Sequence, residues 1–414
     1  MDLYTTRTTC RACDGPFLTT ILDMGTPVLS DFVAQDAPDP ERVPLDFVLC
    51  EDCGLAQLRH TTSPDVLYRK YWYRSSVNEL MRAELADIVQ KASLLYGGVS
   101  KSSTVLDIGA NDGYLLGCYE GPQAPMRIAY EPALNLNAVL RPRTSILVPD
   151  LFPNAVEQIA AYRHEVGIIT SVAVFNHVDA PRPFVAAIDH LLARDGVWVM
   201  QVQDLAEQVR SMAYDNIGHE HVTYYSAATF ETLLAEHDLH VVSTERRAIN
   251  GGSLRFYIRR RHHPRWQSAD TQRIAESWLD REALQRFAAR IDSHKAQLVG
   301  TIDHFLDHGA IVDLYAASTK SSTLLQHCGI DHRRIRQAVE RSEDKFGLET
   351  SGTRIPIVSE VKWREDPSDV VLMGAWQFRD AFVRRERAYL EQGGMFLCPL
   401  PQTELISMHR AVTI

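Results

Sequence analysis

Residues 105–113 read VLDIGANDG, and this stretch decides the fold. Its opening apolar residues predict a buried strand, which runs into a turn that carries Gly109 and Gly113. Glycines at these positions let the backbone come close to a ligand. Glu131 ends the next predicted strand, 22 residues after Gly109, at a spacing where an acid can accept ribose hydroxyl hydrogens. The pattern therefore predicts a nucleotide-type loop at the end of a parallel strand.

Strand-like apolar segments recur along the middle of the chain. Four of them alternate with helical segments and predict a doubly wound parallel sheet: residues 105–108, 127–130, 166–169 and 197–200. Residues 239–243 and 254–258 predict an antiparallel edge to this sheet. A helix is predicted in front of it over residues 75–95, where apolar residues recur with a period of about 3.6.

A second α/β unit is predicted in the last third of the chain. It follows a long polar helix expected over residues 270–309, and its strands are predicted at 311–315, 335–339 and 370–373. The 414 residues are too many for one ordinary core, so two or three domains are expected. The boundaries that we predict are 1–70, 71–265 and 266–414.

Charge and hydropathy exclude several classes of function. A formal net charge of -10 argues against nucleic acid or an anionic membrane as the main partner. The basic run at 259–265 predicts a solvated hairpin or linker rather than a binding patch. No apolar stretch approaches the ~20 residues of a membrane helix, and the first ten residues lack a signal-peptide core. We therefore expect a cytoplasmic protein.

Four of the seven cysteines form two CxxC motifs: Cys10, Cys13, Cys50 and Cys53. Four thiolates around one tetrahedral ion make the usual structural zinc site, which leaves no coordination position open. The first 70 residues have too few apolar side chains for an independent core, so zinc would stabilise them. We predict a zinc site with a folding role. Two unrelated pairs of free thiols are the alternative.

Residues 216–226, NIGHEHVTYYS, carry three adjacent groups that can take or give protons: His219, Glu220 and His221. Such a cluster, followed by two tyrosines, suits proton abstraction beside a carbonyl. It is not the metalloprotease motif HExxH, because Thr223 stands where the second histidine would be. The segment predicts a site of acid–base chemistry.

The glycine loop resembles motif I of class I methyltransferases, since its glycines are out of register with the dinucleotide motif GxGxxG. Several blocks together resemble one family almost end to end, the zinc-containing sugar C-methyltransferases of antibiotic deoxysugar pathways (tetronitrose, mycarose and noviose types). Besides the CxxC pair and VLDIGANDG, the matching blocks are YWYRS at 71–75, HEHVTYYS at 219–226, NGGSLR at 250–255, Lys320, RIPI at 354–357 and AWQF at 375–378.

The resemblance implies an α/β fold with a class I methyltransferase (Rossmann-like) core that binds S-adenosyl-L-methionine. An N-terminal zinc-binding module would precede it, and a C-terminal α/β domain would help to hold a nucleotide sugar. The implied reaction is methylation beside a keto group, commonly at C3 of a 4-keto-hexose on thymidine diphosphate. A base removes the proton α to the ketone, hydrogen-bond donors stabilise the enolate, and the enolate carbon takes the methyl group.

The resemblance also implies roles for individual residues. His221 is the expected base, Glu220 its partner or an enolate-side hydrogen bond, and His219 an orienting group, with Tyr73 at the sugar pocket. The expected cofactor set is Asp107, Gly109, Asn111, Gly113, Glu131 and His177. The expected substrate set is Tyr224, Tyr225, Arg255 and Lys320. The alternatives are packing for the two tyrosines, a structural histidine for His177, and surface charge for Arg255 and Lys320.

The chain departs from the family pattern on the sugar side. Gly218 stands where the family usually has tyrosine, and Gln377 replaces a common asparagine. Two further blocks are altered, DLYAASTK at 313–320 and KFGLETSG at 345–352. We expect a changed substrate, or a changed outcome after enolate formation. The competing functions are epimerisation or another enolate reaction without methyl transfer, O- or N-methylation, and a zinc-stabilised binding protein with a vestigial cofactor site.

Overall fold

A computed structural model describes residues 2–261, 276 and 278–414. The N-terminal part forms a four-stranded antiparallel sheet from Leu18–Asp23, Asp46–Cys50, Ala56–Leu58 and, as its last strand, Thr223–Tyr224. Two smaller strand pairs flank it: Tyr4–Thr6 with His60–Thr62, and Phe32–Val33 with Glu349–Thr350. The N-terminal module therefore shares strands with two later parts of the chain.

A seven-stranded central sheet confirms the predicted doubly wound arrangement. Its order is Leu239–Arg247, Ser253–Arg260, Leu192–Gln203, Val166–Val172, Thr104–Ile108, Met126–Tyr130 and Ile146–Val148. The first two strands form the antiparallel edge and the others are parallel. The α-helices of this part are Pro64–Tyr68, Glu79–Tyr96, Tyr114–Gly117, Asn137–Leu140, Pro181–Leu191, Leu205–Arg210 and Ala227–Leu234.

The helix Glu79–Tyr96 shows why the local sequence folds as it does. The Asn78 side chain accepts hydrogen bonds from the amides of Leu80 and Met81, which starts the helix four residues later than the periodicity predicted. Gly97 ends it with a left-handed φ of 96°. The helix packs an apolar face on the central sheet through Met81, Leu85, Ile88, Val89 and Ala92.

A second seven-stranded sheet occupies the C-terminal part. Its order is Ile357–Ser359, Ala338–Glu340, Val312–Tyr315, Val370–Met373, Met395–Cys398, Glu404–Ile406 and Ala411–Thr413, with the first five strands parallel. Its α-helices are Arg281–Asp307, Thr319–Cys328, Glu360–Glu365, Arg379–Arg385 and Arg387–Glu391. This arrangement agrees with the predicted C-terminal α/β unit.

The structure differs from two predictions made for the segment between the two large sheets, one for the long helix and one for the basic run. The long helix expected over 270–309 begins at Arg281, because the side chain of Asp280 caps it by accepting from the amide of Ala283. Residues 270–275 and 277 lie outside the described residues. Arg259 and Arg260 of the basic run belong to the strand Ser253–Arg260, and residues 262–265 also lie outside the described part.

One apolar core spans the N-terminal and C-terminal parts. It joins Phe47 and Leu58 of the N-terminal sheet to Tyr224, to Ile291 of the long helix and to Leu314 of the C-terminal sheet. The predicted weakness of the N-terminal module is thus offset by packing on its neighbours as well as by its cysteines. Within the described ranges, no helix is both long and apolar enough to span a bilayer.

Candidate active site

The four cysteines of the CxxC motifs converge. Their Sγ atoms all lie within 4.8 Å of one another, and Cys10–Cys53 and Cys13–Cys50 are each separated by 3.6 Å. A zinc ion with sulfur ligands at ~2.3 Å requires sulfur–sulfur separations of roughly 3.8 Å, so these residues fit the metal. Gln57 Nε2 donates to Cys10 Sγ at 3.1 Å and supports the orientation of that ligand.

A cavity of about 370 Å³ lies at the carboxyl ends of the parallel strands, where α/β sheets bind ligands. We call it the cofactor cavity. Six of the predicted residues line it: Tyr73, Asp107, Gly109, Asn111, Glu131 and His177. Gly109 has φ 71°, and a Cβ there would be 2.2 Å from Val174 Cγ2, so only glycine fits.

Gly113 lies beside this cavity without lining it. It has φ 75° and caps the short helix Tyr114–Gly117. A Cβ at this position would be 2.7 Å from Leu140 Cδ1. Gly113 therefore closes the turn against the core, and its contact with the cofactor stays a prediction.

Glu131 is held as an acceptor at the edge of the cofactor cavity. One oxygen accepts from the Asn111 amide at 2.6 Å and the other from the Ala133 amide at 2.8 Å. Each carboxylate oxygen keeps a further lone pair, which is what a ribose diol needs. Burial raises the pKa of Glu131. Burial also raises the pKa of Asp107 to about 7, although Thr170 Oγ1 donates to that carboxyl at 2.6 Å.

Several lining residues were given no role of their own in the sequence analysis: Tyr68, Tyr71, Asp150, Leu151, Asp179 and Asn250. Asp150 was detectable, because it follows the strand Ile146–Val148 at the same sheet edge as Glu131. Tyr71 lay inside the YWYRS block but gave no signal of its own. Asp179 and Asn250 reach the cavity only through the fold.

His221 is oriented by the backbone of its own segment. Its Nδ1 lies 2.7 Å from the carbonyl oxygen of Asn216, so Nδ1 carries the proton and Nε2 keeps its lone pair. Burial lowers the pKa of His221 to about 4. Its ring lies 5.1 Å from that of His177, which in turn stacks on Tyr68 at 5.5 Å. Burial also lowers the pKa of His177, so both imidazoles are neutral near pH 7.

Glu220 is hydrogen-bonded to two tyrosines near the end of the N-terminal module. Tyr71 Oη donates to Glu220 Oε2 at 3.0 Å, and Tyr68 Oη donates to the backbone oxygen of Glu220 at 2.9 Å. Burial raises the pKa of Glu220, against the smaller lowering effect of the Tyr71 hydrogen bond.

A second, smaller cavity of about 40 Å³ lies on the other side of this cluster, and we call it the inner cavity. His221 and Glu220 line it, whereas Tyr68, Tyr71 and His177 line the cofactor cavity. The wall between the two cavities is thus made of acid–base groups. Further residues around the inner cavity are Asp215, Asn216, Gly218, His219, Lys320 and Thr323.

His219 anchors the segment to the N-terminal module. Its Nε2 lies 2.9 Å from the carbonyl oxygen of Val43, and the amide of Leu58 donates to the oxygen of Val222 at 2.9 Å. Thr223–Tyr224 then pairs with Ala56–Leu58 as part of the N-terminal sheet. The segment 219–224 is therefore held by the zinc-binding part of the chain, and the role of His219 in the chemistry stays a prediction.

Lys320, from the C-terminal part of the chain, lines the inner cavity together with His221. Its Nζ donates to the backbone oxygen of Asn250 at 2.9 Å, and burial lowers its pKa. Asp215 partly offsets that effect, and Asp215 Oδ2 itself accepts from Trp376 Nε1 at 2.8 Å. The Lys320 charge also adds to burial in lowering the pKa of His221.

The other three predicted substrate residues line neither cavity. Arg255 is buried within the central sheet, where its guanidinium donates to Glu84 Oε1 at 2.7 Å and to Gln201 Oε1 at 2.8 Å, and pairs with Asp87. Tyr224 packs on Phe47, with ring centres 4.9 Å apart, and Tyr225 lies in the core against Phe175 and Phe230. The geometry favours ion pairing and packing for these three residues.

Comparisons with known proteins match most of the chain to C-methyltransferases and their domains. Three family models match in order: a zinc binding domain over residues 10–68, a methyltransferase domain over 77–244, and a C-methyltransferase C-terminal domain over 248–401. A relative, the C-methyltransferase NovU of Streptomyces niveus, is 30% identical over 415 residues, covering 96% of each chain.

Two solved structures resemble part of the chain. Geranyl diphosphate C-methyltransferase from Streptomyces coelicolor A3(2) is 9% identical, covers 44% of this chain and 80% of that chain, and has a TM-score of 0.36. The YcgJ protein from Bacillus subtilis is 14% identical, covers 40% of this chain and 72% of that chain, and has a TM-score of 0.32.

Proposed function

Since the chain belongs to the C-methyltransferase family that includes NovU, it is an S-adenosyl-L-methionine-dependent enzyme, and we propose that it methylates a nucleotide-linked keto-deoxysugar. The methyl group goes to the carbon next to the keto group, and the nucleotide is thymidine diphosphate, as the family resemblance implies. The C-terminal α/β domain contributes to holding the nucleotide sugar. His221 is the base.

The observation that carries this proposal is that His221 lines the inner cavity while its ring lies 5.1 Å from that of His177, which lines the cofactor cavity. A proton on carbon leaves only when a base is within hydrogen-bond reach of it. The same carbon then has to face the methyl donor, so base and cofactor must lie on either side of one point. Oxygen and nitrogen acceptors need no carbon-acid base, which favours carbon as the acceptor.

The chemistry assigned to His221 follows from its hydrogen bond. With Nδ1–H donated to Asn216, Nε2 takes the proton from the α-carbon and the ring becomes an imidazolium. Bound S-adenosyl-L-methionine supplies the electrophilic methyl group. The imidazolium forms next to the enolate, so the two new charges stabilise each other inside a buried site.

Lys320 and Glu220 complete the proposed set. Lys320 lines the inner cavity together with His221, and an ammonium there stabilises negative charge on the keto oxygen. Tyr71 fixes the Glu220 carboxyl by its 3.0 Å hydrogen bond, so Glu220 presents a defined donor or acceptor to the sugar. Tyr73 borders the cofactor cavity and is 42% exposed, which suits contact with the incoming substrate.

Gly218 supports the expectation that this enzyme accepts a different sugar from the usual substrate of the family. It lines the inner cavity, and a Cβ there would be 3.3 Å from Thr323 Oγ1. A large side chain at this position would fill the cavity. We infer that the accepted sugar carries a group into this space, next to the carbon that is deprotonated.

The experiment that tests this function uses a panel of thymidine-diphosphate keto-deoxysugars with methyl-labelled S-adenosyl-L-methionine in deuterated water. We expect label on a sugar carbon, read by mass spectrometry and by NMR of the product. Deuterium incorporation without label would show epimerisation instead. Label on a hydroxyl or amino group would replace the carbon acceptor by an oxygen or nitrogen acceptor.

A further inference from the structure

Arg11 lies inside the first CxxC motif, between Cys10 and Cys13, and its side chain is fully buried. An arginine is rarely buried without a set of partners, because taking its charge out of water is costly. Its position in a metal-binding turn ties the Arg11 backbone to the zinc ligands on both sides of it.

The partners of Arg11 connect two distant parts of the chain. Within the N-terminal module its Nη1 donates to Gln57 Oε1 at 3.1 Å and to the Leu58 carbonyl oxygen, and its Nη2 donates to Thr61 Oγ1 at 2.6 Å. Its Nε donates to Asp179 Oδ1 at 3.0 Å, 168 residues away. Gln57 also donates to the Cys10 sulfur, so the network begins at a zinc ligand.

Asp179 belongs to the wall of the cofactor cavity. The same loop supplies Val174, His177, Val178 and Ala180 to that wall. Besides Arg11, Thr61 Oγ1 donates to Asp179 Oδ1 at 2.6 Å and Arg7 pairs with Oδ2 at 3.3 Å. The N-terminal module therefore takes up both oxygens of a carboxylate at the cavity edge.

We propose that Arg11 is a positioning residue that couples zinc in the cysteine cluster to cofactor affinity through Asp179. With zinc bound, the turn between Cys10 and Cys13 holds the guanidinium in place. The guanidinium holds Asp179, and with it the loop that carries His177 into the cofactor cavity. Coupling between two binding sites is reciprocal, so the cofactor tightens zinc binding by the same factor.

The test measures binding in the full-length zinc-loaded protein, with no turnover required. Calorimetry gives the Kd for S-adenosylhomocysteine in the wild type and in Arg11→Met, Asp179→Asn and the double variant. Metal analysis gives zinc per chain. We expect each single variant to weaken binding about 5- to 100-fold, and the double variant to lose little more than Asp179→Asn, since Asp179→Asn already weakens the contact that Arg11 makes.

A chelator competition supplies the reciprocal measurement. In the wild type, saturating S-adenosylhomocysteine should lower the apparent zinc Kd by about the same 5- to 100-fold, and in Asp179→Asn this effect should be lost. Asp179→Asn leaves the CxxC turn unchanged, so this variant tests the coupling between zinc and cofactor even if Arg11→Met folds poorly. A merely structural role would lower thermal stability while the effect of cofactor on zinc affinity persisted.

Arg59→Met is the matched control. Arg59 lies in the same module, but it pairs with Asp46 at 3.6 Å and donates to Thr20 at 3.0 Å. We expect wild-type affinity for S-adenosylhomocysteine in this variant. Wild-type affinity in Asp179→Asn with zinc retained would overturn the proposal, and so would equal losses in Arg59→Met and Arg11→Met.

Discussion

Nδ1 of His221 lies 2.7 Å from the backbone carbonyl oxygen of Asn216, five residues earlier in the chain. A backbone acceptor cannot rotate away or change its charge, so this contact sets both the tautomer and the direction of the ring. Nε2 is left as the reactive nitrogen of a side chain that lines the inner cavity. The sequence predicts that His221 is the base, and the turn between Asn216 and His221 sets the tautomer of its ring.

Replacing His221 with Gln should remove the base. We expect kcat to fall about 10²- to 10⁴-fold, since proton transfer by a positioned side chain contributes this much. The Kd for S-adenosylhomocysteine should stay unchanged, because the cofactor cavity is bounded by His177 instead. The exposed His409→Ala serves as the control. Wild-type hydrogen exchange at the sugar carbon in His221→Gln would contradict the assignment.

The acid side of the pH–rate profile should reflect a depressed imidazole. Burial lowers the pKa of His221 to about 4, so kcat/KM should fall as the pH drops through about 4, and not near 6.5. Stability should change over a different range. Between pH 6.5 and about 4 only the unfolded His221 binds a proton, so stability falls as the pH falls through this window. Circular dichroism at each pH separates the two effects.

Replacing Glu131 with Gln should weaken cofactor binding. A charge-assisted hydrogen bond contributes about 1.5–3 kcal/mol, so the Kd for S-adenosylhomocysteine should rise roughly 10- to 100-fold. Calorimetry measures this directly. Glu157→Gln, at an exposed position outside the cavity lining, should bind as the wild type does. An unchanged Kd in Glu131→Gln would mean that another acid, such as Asp150, takes the ribose.

Replacing Lys320 with Met should slow the chemical step. The loss of one group that stabilises a developing oxyanion costs about 10²- to 10³-fold in kcat. Single-turnover kinetics at saturating cofactor measures the step. Lys362→Met, at an exposed position of the same C-terminal part, is the control. A rise in KM for the nucleotide sugar at constant kcat would instead support the substrate-binding role expected of Lys320 from the sequence.

Replacing Arg255 with Met should affect stability and not substrate binding. The change removes the buried cation beside Glu84 and Asp87, which both keep Arg247 as a second partner, so the loss should lie below the about 3–5 kcal/mol of a buried charge left unpaired. Urea unfolding should show the loss, with an unchanged KM for the nucleotide sugar in the folded enzyme. The exposed Arg290→Met should leave both quantities unchanged. A raised KM at unchanged stability would restore the substrate role first expected.

Local patterns in the sequence predicted those features that depend on residues close to one another along the chain. The strand and turn at 105–113, the two CxxC motifs and the alternation of strands with helices follow from residue type and spacing, because hydrogen bonding and burial repeat with fixed periods. Glu131 was found for the same reason. These features predicted the α/β class and the sequence positions of the zinc ligands.

The tertiary structure alone decided which polar residues face a cavity and which face each other. Arg255 was expected at the substrate and meets Glu84, 171 residues away, inside the central sheet. Tyr71 meets Glu220 across 149 residues, and Arg11 meets Asp179 across 168. Buried charges and hydroxyls need partners, and only the packed chain brings those partners within hydrogen-bond distance. The spacing of residues along the chain does not indicate such pairs. The kind of chemistry at the site could therefore be predicted from the sequence, whereas the contacts between its residues could not.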